Sequence, residues 1–118
     1  MKAPKQIQLQ WKEFTQYEEA KDCHNCLYAF VYEKEFLYIG RATKFGGPGA
    51  RYANGYSYLI DALLGEGYRL YICESSDENA EHLTEIESQA IQKYKPTANK
   101  RIRKPRGTIH IVFNEPWS

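Results

Sequence analysis

The stretch LYAFVYEKEFLYIGRA, Leu27–Ala42, constrains the fold more than any other part of the chain. Two apolar runs, Leu27–Tyr32 and Phe36–Ile39, flank the charged triplet Glu33-Lys34-Glu35, which is a hairpin pattern. Side chains alternate along a strand, so a slip of one residue moves every side chain to the opposite face. Taking the triplet as the loop pairs Tyr32 with Phe36, Phe30 with Tyr38 and Tyr28 with Gly40. Leu27, Ala29, Val31, Leu37 and Ile39 then form an aliphatic face. Tyr28, Phe30, Tyr32, Phe36, Tyr38 and Gly40 form an aromatic one. A two-residue loop would mix these sets, so the pattern selects three. Tyrosine is an ordinary strand former, and taken alone these residues need no further explanation.

The chain has 118 residues, the size of one domain spanning 1–118. A net charge of +1 does not mark a nucleic-acid binder by itself, so the distribution of charge has to carry that question. The longest apolar run, Cys26–Tyr32, is too short to cross a bilayer. The N-terminal segment MKAPKQIQLQWKEF lacks the apolar centre of a secretory signal. The expected location is therefore cytoplasmic, without membrane contact. An odd number of cysteines, three, argues against a disulfide framework. Cys23-His24-Asn25-Cys26 has the spacing of half a zinc site, but only Cys73 and distant His82 or His110 remain to complete four ligands. Free thiols are the expectation.

Along the rest of the chain, Ile7, Leu9 and Trp11 alternate as in a short edge strand, and Lys12–Ala20 suits one or two helical turns. Gly46-Gly47-Pro48-Gly49 is a loop that lacks the Lys-Ser/Thr ending of a nucleotide-binding loop. Ala50–Leu64 carries Tyr52, Tyr56, Leu59, Ile60, Leu63 and Leu64 at helical spacing, with Gly65 and Gly67 to end it. Tyr68–Cys73 reads as a strand. Ser75 and Glu78 have the spacing of a capping box that opens a helix running to about Tyr94, before Pro96. Ile109–Phe113 reads as a late strand.

Within that second helix the apolar stripe is Ala80, Leu83, Ile86, Ala90, Ile91 and Tyr94. Glu87 falls inside it, whereas Glu81, Glu85 and Ser88 fall on the solvent side. A carboxylate on a packing face is costly unless it is paired, hydrogen-bonded or bound to a metal. It can also lie at the edge of the stripe and reach water. From Gln92 to Gly107 follow Lys93, Lys95, Lys100, Arg101, Arg103, Lys104 and Arg106 with no acid among them. Such a run is what phosphate-backbone contact requires, although charge runs are commonly just solvated. Five of the fifteen acids lie in Asp77–Glu87, shortly before this run, so a near-neutral total hides a polarised molecule.

Cys26-Leu27-Tyr28, Tyr38-Ile39-Gly40, Arg51, and Ile86–Ile91 followed by Tyr94-Lys95-Pro96-Thr97-Ala98-Asn99 together resemble the GIY-YIG nuclease domain. The resemblance covers about residues 26–100. Cys26-Leu27-Tyr28 stands where Gly-Ile-Tyr is expected, ten residues before the second tyrosine. Arg51 stands where the family has an arginine on its first helix. The glutamate-to-proline interval picks out Glu87, the residue already singled out by the helix face.

The resemblance implies an α+β fold: a small three-stranded antiparallel β-sheet flanked by helices, with room for extra short strands at both termini. It implies metal-dependent hydrolysis of DNA phosphodiesters, with Glu87 holding one Mg²⁺ or Mn²⁺ per active site. Arg51 would stabilise the charge that develops at phosphorus. Tyr28 would accept the proton of the attacking water, with Tyr38 as orienter or alternative base. A free phenol ionises near about 10, so its neighbours must lower that value. Arg41 and Lys44 are both candidates for the basic residue after Tyr-Ile-Gly, Arg41 being favoured. Gly40 and Asn99 belong to the structural motif. Lys44 and the seven basic residues of the C-terminal third would contact the nucleic acid. DNA is the implied partner, RNA stays open, and a second copy or another protein could supply specificity. Two other readings stand beside this one: a nucleic-acid-binding module without turnover, and an unrelated α+β domain with a chance Tyr-Ile-Gly.

Overall fold

The computed structural model describes residues 5–45, 56–75, 77–99, 104–107 and 109–115. The chain runs β1 (Lys5–Gln10), β2 (Lys12–Phe14), α1 (Tyr17–Ala20), β3 (His24–Tyr32), β4 (Glu35–Lys44), α2 (Tyr56–Gly65), β5 (Arg69–Glu74), a 3₁₀ turn (Asp77–His82), α3 (Leu83–Tyr94) and β6 (Ile109–Asn114). It is a mixed α+β fold. The antiparallel sheet has the order β2-β5-β3-β4, and β1 and β6 form a separate parallel pair. The sheet thus has four strands rather than three, the added one being short β2. Residues 12–14, expected to be helical, pair with β5 instead, and helix is confined to α1. No helix among the described residues is long and apolar enough to cross a membrane.

Strand alternation divides the apolar residues between two cores. On one face Leu27, Ala29, Val31 and Ile39 meet Ile86, Ala90 and Ile91 of α3 and the inner side of the β1–β6 pair. Ile7, Leu9 and Trp11 all enter this core, as their alternation predicts. Trp11 is wholly buried, with ring centroids of Phe36, Tyr94 and Phe113 at 5.8, 6.0 and 6.2 Å. On the other face Cys26, Phe30, Leu70 and Ile72 meet Ile60 of α2, Ala20 of α1 and Phe45.

The hairpin departs from the expected register at one end. Tyr28 pairs with Gly40 and Phe30 with Tyr38, as predicted, but Val31 then pairs with Phe36 and Tyr32 with Glu35. The loop is only Glu33-Lys34, with φ of 50° and 69°, the doubly left-handed backbone of a tight hairpin turn. Leu37 is the extra residue, a β-bulge that restores the register beyond it. Phe36 and Leu37 therefore exchange faces. Phe36 packs with Trp11, its ring stacked 4.1 Å from that of Tyr94, while Leu37 packs on the α2 side. A large aromatic and a leucine both satisfy either face, so hydrophobicity alone could not locate the bulge.

The second helix also starts later than expected. Ser75 donates its hydroxyl to Asn25 O at 2.6 Å instead of capping, and a 3₁₀ turn precedes α3. The C-terminus is as predicted: Tyr94 is the last helical residue, and Lys95 turns left-handed at φ 49° ahead of Pro96. α2 occupies Tyr56–Gly65, and residues 46–55, which include the glycine-rich loop, lie outside the described residues.

The turn gives a direct test of this register. Replacing Glu33-Lys34 by Asn-Gly, which prefers φ > 0, should stabilise the chain by about 0.5–1 kcal/mol. The urea midpoint should rise at constant slope. A loss of stability would mean that the turn is not the two-residue one.

Candidate active site

Tyr28 and Tyr38 meet on the α2 side of the β3–β4 pair, with ring centroids 6.1 Å apart. The Tyr28 ring lies across Gly40, its cross-strand partner, and is held edge-on by Phe45 at 5.1 Å. A Cβ added at Gly40 would sit 2.9 Å from Tyr28 Cε1 and closer still to its Cζ and Oη. Glycine is thus required at position 40 because the phenol occupies the space of a side chain. Tyr28 is half-buried, while Tyr38 is 36% exposed.

Arg41 leaves β4 on the opposite face, toward α3. Its Nη1 donates to Thr84 Oγ1, and its Nε lies 3.7 Å from Glu87 Oε1. The Glu87 side chain is 23% exposed, so the stripe residue picked out by sequence is at a partly open edge and ion-paired. Four consecutive residues of β4, Tyr38 to Arg41, therefore join two groups: phenols on one face, a guanidinium–carboxylate pair on the other. Arg51 lies outside the described residues.

What positions α3 beside β4 is the segment after it. Thr97 N donates to Phe36 O at 3.3 Å and Ala98 N to Leu37 O at 2.8 Å. Asn99 then accepts from Ile39 N and donates to Ile39 O, both at 2.9 Å. This turn lies along the free edge of β4, and among the described residues its hydrogen bonds stop at Ile39. Asn99 is a backbone clamp, in keeping with its assignment to the structural motif. The rim from Gly40 onward begins where the clamp ends.

The basic residues do not gather at one place. Lys44 lies 3.6 Å from Asp22 Oδ1. Lys93 lies 3.2 Å from Glu115 Oε1 and over the rings of Tyr94 and Phe113, which places it on another side of α3 from Glu87. Lys95 is the exposed helix cap. Lys104 and Arg106 line a cleft of about 550 Å³ with His82, Thr84, Glu85 and Ser88, so this part of the basic run adjoins Thr84, the partner of Arg41. Lys100, Arg101 and Arg103 lie outside the described residues.

Two α3 residues assigned to the solvent side do structural work. Ser88 is buried and donates to Thr84 O at 3.0 Å, satisfying its hydroxyl within the helix. Glu85 accepts the backbone N–H groups of Arg106 and Gly107, each at 2.9 Å, and an N–H of Gln89 at 2.7 Å. Gln89 also donates to Ile109 O at 2.8 Å. The outer face of α3 therefore holds the strap 104–107, a role that helical periodicity cannot reveal. Burial by itself would raise the Glu85 carboxyl, but the bonds from Gln89, Arg106 and Gly107 hold it below its ordinary value of 4.5.

The three thiols are free and buried. Burial raises Cys23 to about 11 and Cys26 to about 12, and raises Cys73 further, so all three stay protonated near neutrality. Cys26 belongs to one core and Cys73 to the other. Comparison of the chain with protein-family models, curated proteins and solved structures finds no match.

A depressed carboxyl contributes stability that is present above its ordinary value and lost as pH falls through its folded one. The amide proton shifts of Arg106 and Gly107 should therefore titrate together, below pH 4.5. Glu85→Gln should abolish that step; persistence of the step would remove Glu85 as the anchor. Gly40→Ala should displace the Tyr28 ring and cost about 1–3 kcal/mol in denaturation, as overpacking does.

Proposed function

We propose that this chain hydrolyses nucleic-acid phosphodiesters, DNA first, at the rim of β4, with the chemistry that its likeness to GIY-YIG nuclease domains implies. The observation that carries the reading is the junction at Tyr38–Arg41. Gly40 itself is buried, but Tyr38 and Arg41 are exposed on opposite faces of this edge strand, and the reading assigns the phosphate to the edge between them, with Tyr28 behind Tyr38 and Glu87 behind Arg41.

Among the described residues no group of three or more His, Cys, Asp or Glu is present. Glu87 is instead a single, partly open oxygen donor, which suits a hard ion such as Mg²⁺ or Mn²⁺ that keeps most of its waters. When bound, that ion supplies Lewis acidity at the phosphate and the leaving oxygen. Arg41, 3.7 Å from Glu87, gives positive charge next to the phosphate. By resemblance, Tyr28 would take the proton of the attacking water as its phenolate and become the phenol, with Tyr38 as orienter or alternative base. Arg51 is assigned the transition-state charge by resemblance alone. Lys104 and Arg106 extend backbone contact along the cleft beside Thr84.

One observation favours binding without turnover. The Arg41 guanidinium already engages Glu87 and Thr84, and both phenols leave the sheet on the face opposite Glu87. The deciding experiment is supercoiled plasmid with Mg²⁺, comparing wild type with Glu87→Ala. Nicking or linearisation by the wild type should fall by at least about 10²–10³-fold in the variant, with DNA binding and thermal stability retained. Cleavage by Glu87→Ala at the normal rate would sink the metal assignment. Binding without cleavage by either protein, on plasmid and then on branched and single-stranded DNA, would establish the binding module. Replacing Lys104 and Arg106 with alanine should lower the salt slope of binding by about two charges. An unchanged slope would turn the strap away from the DNA.

A further inference from the structure

Lys21, Arg41, Lys44, Arg69 and Lys93 each lie within 3.7 Å of a carboxylate oxygen. Lys104 and Arg106 do not. Both are exposed, and among the described residues neither side chain makes an ion pair. Glu85, the acid whose charge acts on Arg106, is bonded to the backbone instead. Its Oε1 accepts the N–H of Arg106 and its Oε2 that of Gly107, each at 2.9 Å. With Gly107 at φ 73°, two successive amides converge on one carboxylate, as in the backbone nests that bind anions. A Cβ at Gly107 would meet nothing within 4 Å, so glycine serves there for its dihedral and not for space. Gln89 Nε2 braces the group, donating to Glu85 Oε2 at 2.7 Å and to Ile109 O at 2.8 Å.

Held in this way, the strap presents its residues alternately. Pro105 and Gly107 line a groove with Gln92 and His110, whereas Lys104 and Arg106 line the cleft with Thr84 and Ser88. At about 100° per residue, Ser88 and Thr84 lie on the arc of α3 between Glu85 and Glu87. The cleft therefore leads from the strap to Arg41, which donates to Thr84. The other acid of the cleft, Glu81, lies 3.4 Å from His82 Nε2.

We propose that Glu85 is a positioning residue for nucleic-acid binding: by holding the strap through its backbone, it leaves the Lys104 and Arg106 side chains unpaired and fixes them beside Thr84, where they meet the phosphates next to the one at Arg41. This rests on reading the β4 edge as the site of phosphodiester cleavage. An acid beside a polyanion ordinarily lowers affinity, and an acid paired with Arg106 would also cancel one of the two cations. A carboxylate bonded to amides holds the same strap and keeps both. An ordered strap also loses less conformational freedom when a strand arrives. The charge of Glu85 still opposes a phosphate, so the gain from ordering has to exceed that repulsion.

The test measures binding of a labelled duplex in EDTA, where cleavage does not contribute. Fluorescence anisotropy over a KCl series compares the wild type, Glu85→Gln, Gln89→Ala, Lys104→Ala/Arg106→Ala, and that double variant with Glu85→Gln added. Glu85→Gln removes a negative charge, which alone would tighten binding. It should instead weaken binding at least about threefold at low salt and lower the salt slope by about one. Gln89→Ala changes no charge and should move both quantities the same way by less, so it carries the comparison if Glu85→Gln does not fold. Hydrogen exchange should rise at the amides of Arg106 and Gly107 in both variants. Where both cations are already absent, Glu85→Gln should not weaken binding further. Equal or tighter binding by Glu85→Gln would overturn the proposal, and so would an undiminished loss in the chain without the two cations, which is what a general folding defect produces. An unchanged slope on removing the cations, or no duplex binding by the wild type, would overturn it too. Plasmid cleavage by the wild type stands through any of these failures. Conversely, the expected pattern in a protein that never cuts would retain the role of Glu85 and remove the cleavage.

Discussion

The two hydrogen bonds between the Asn99 amide and the backbone of Ile39 hold together everything proposed for the rim. β4 is the outer strand of the sheet, and an unpaired strand edge invites pairing with other chains. Residues 97–99 cover that edge, and because they follow α3 directly, they also fix where the helix lies against the strand. Each bond adds only about 0.5–1.5 kcal/mol net, but leaving both Ile39 groups unsatisfied would cost more than their mean worth. The left-handed Lys95 and Pro96 reverse the chain so that it can reach β4. The meeting of Arg41 with Glu87 is thus set by a turn and an amide, neither of which carries any chemistry itself.

Local periodicity made much of this legible. The β3–β4 hairpin, the pairing of Tyr28 with Gly40, the inward Trp11 and the end of α3 all follow from patterns of period 2 or 3.6 and from Pro96. What periodicity cannot see is a compensating pair of irregularities. Glu33 and Lys34 carry none of the Asn-Gly signal of a two-residue turn, and the Leu37 bulge hides the shortened loop by restoring the register beyond it. The same limit applies to long-range hydrogen bonds. Glu85 lies on the outer face of α3, as its position in the stripe says, yet it is tied to backbone amides twenty-one and twenty-two residues away. Ser75 likewise looked like a helix cap because its competing acceptor, Asn25 O, is fifty residues distant in sequence. The motifs single out Tyr28, Tyr38 and Glu87 in order along the chain, but only strand parity and the contact of Arg41 with Glu87 show that the phenols and the carboxylate lie on opposite faces of β4.

Stability and the rim draw on different parts of the molecule. Trp11, Tyr94, Phe36 and Phe113 form an aromatic cluster at the far end of α3, where Trp11 Nε1 donates to Tyr94 Oη and Tyr94 donates to Glu115. Burial, then the bond to Glu115, raises the Tyr94 phenol, so it remains a neutral donor throughout the physiological range. This cluster joins the β1–β6 pair, the helix and the sheet through one buried indole. At the rim, by contrast, the contacts are sparse and specific: a phenol over a glycine, and a guanidinium beside a carboxylate.

The weakness of that last contact is consistent with a working role. The side chains of Arg41 and Glu87 are 42% and 23% exposed, and Arg41 Nε lies 3.7 Å from Glu87 Oε1. Partly solvated pairs of this kind contribute about 0–1 kcal/mol, so folding gains little from this one. A phosphodiester has two non-bridging oxygens sharing one negative charge, which a guanidinium can bind in a fork. In the proposed site Arg41 would turn from Glu87 and Thr84 to the phosphate, an exchange that has to break both contacts. In the free chain this pairing argues for a binding module, whereas the proposed nuclease needs Arg41 to exchange partners when a phosphate arrives. Whether that exchange occurs is what separates the two readings.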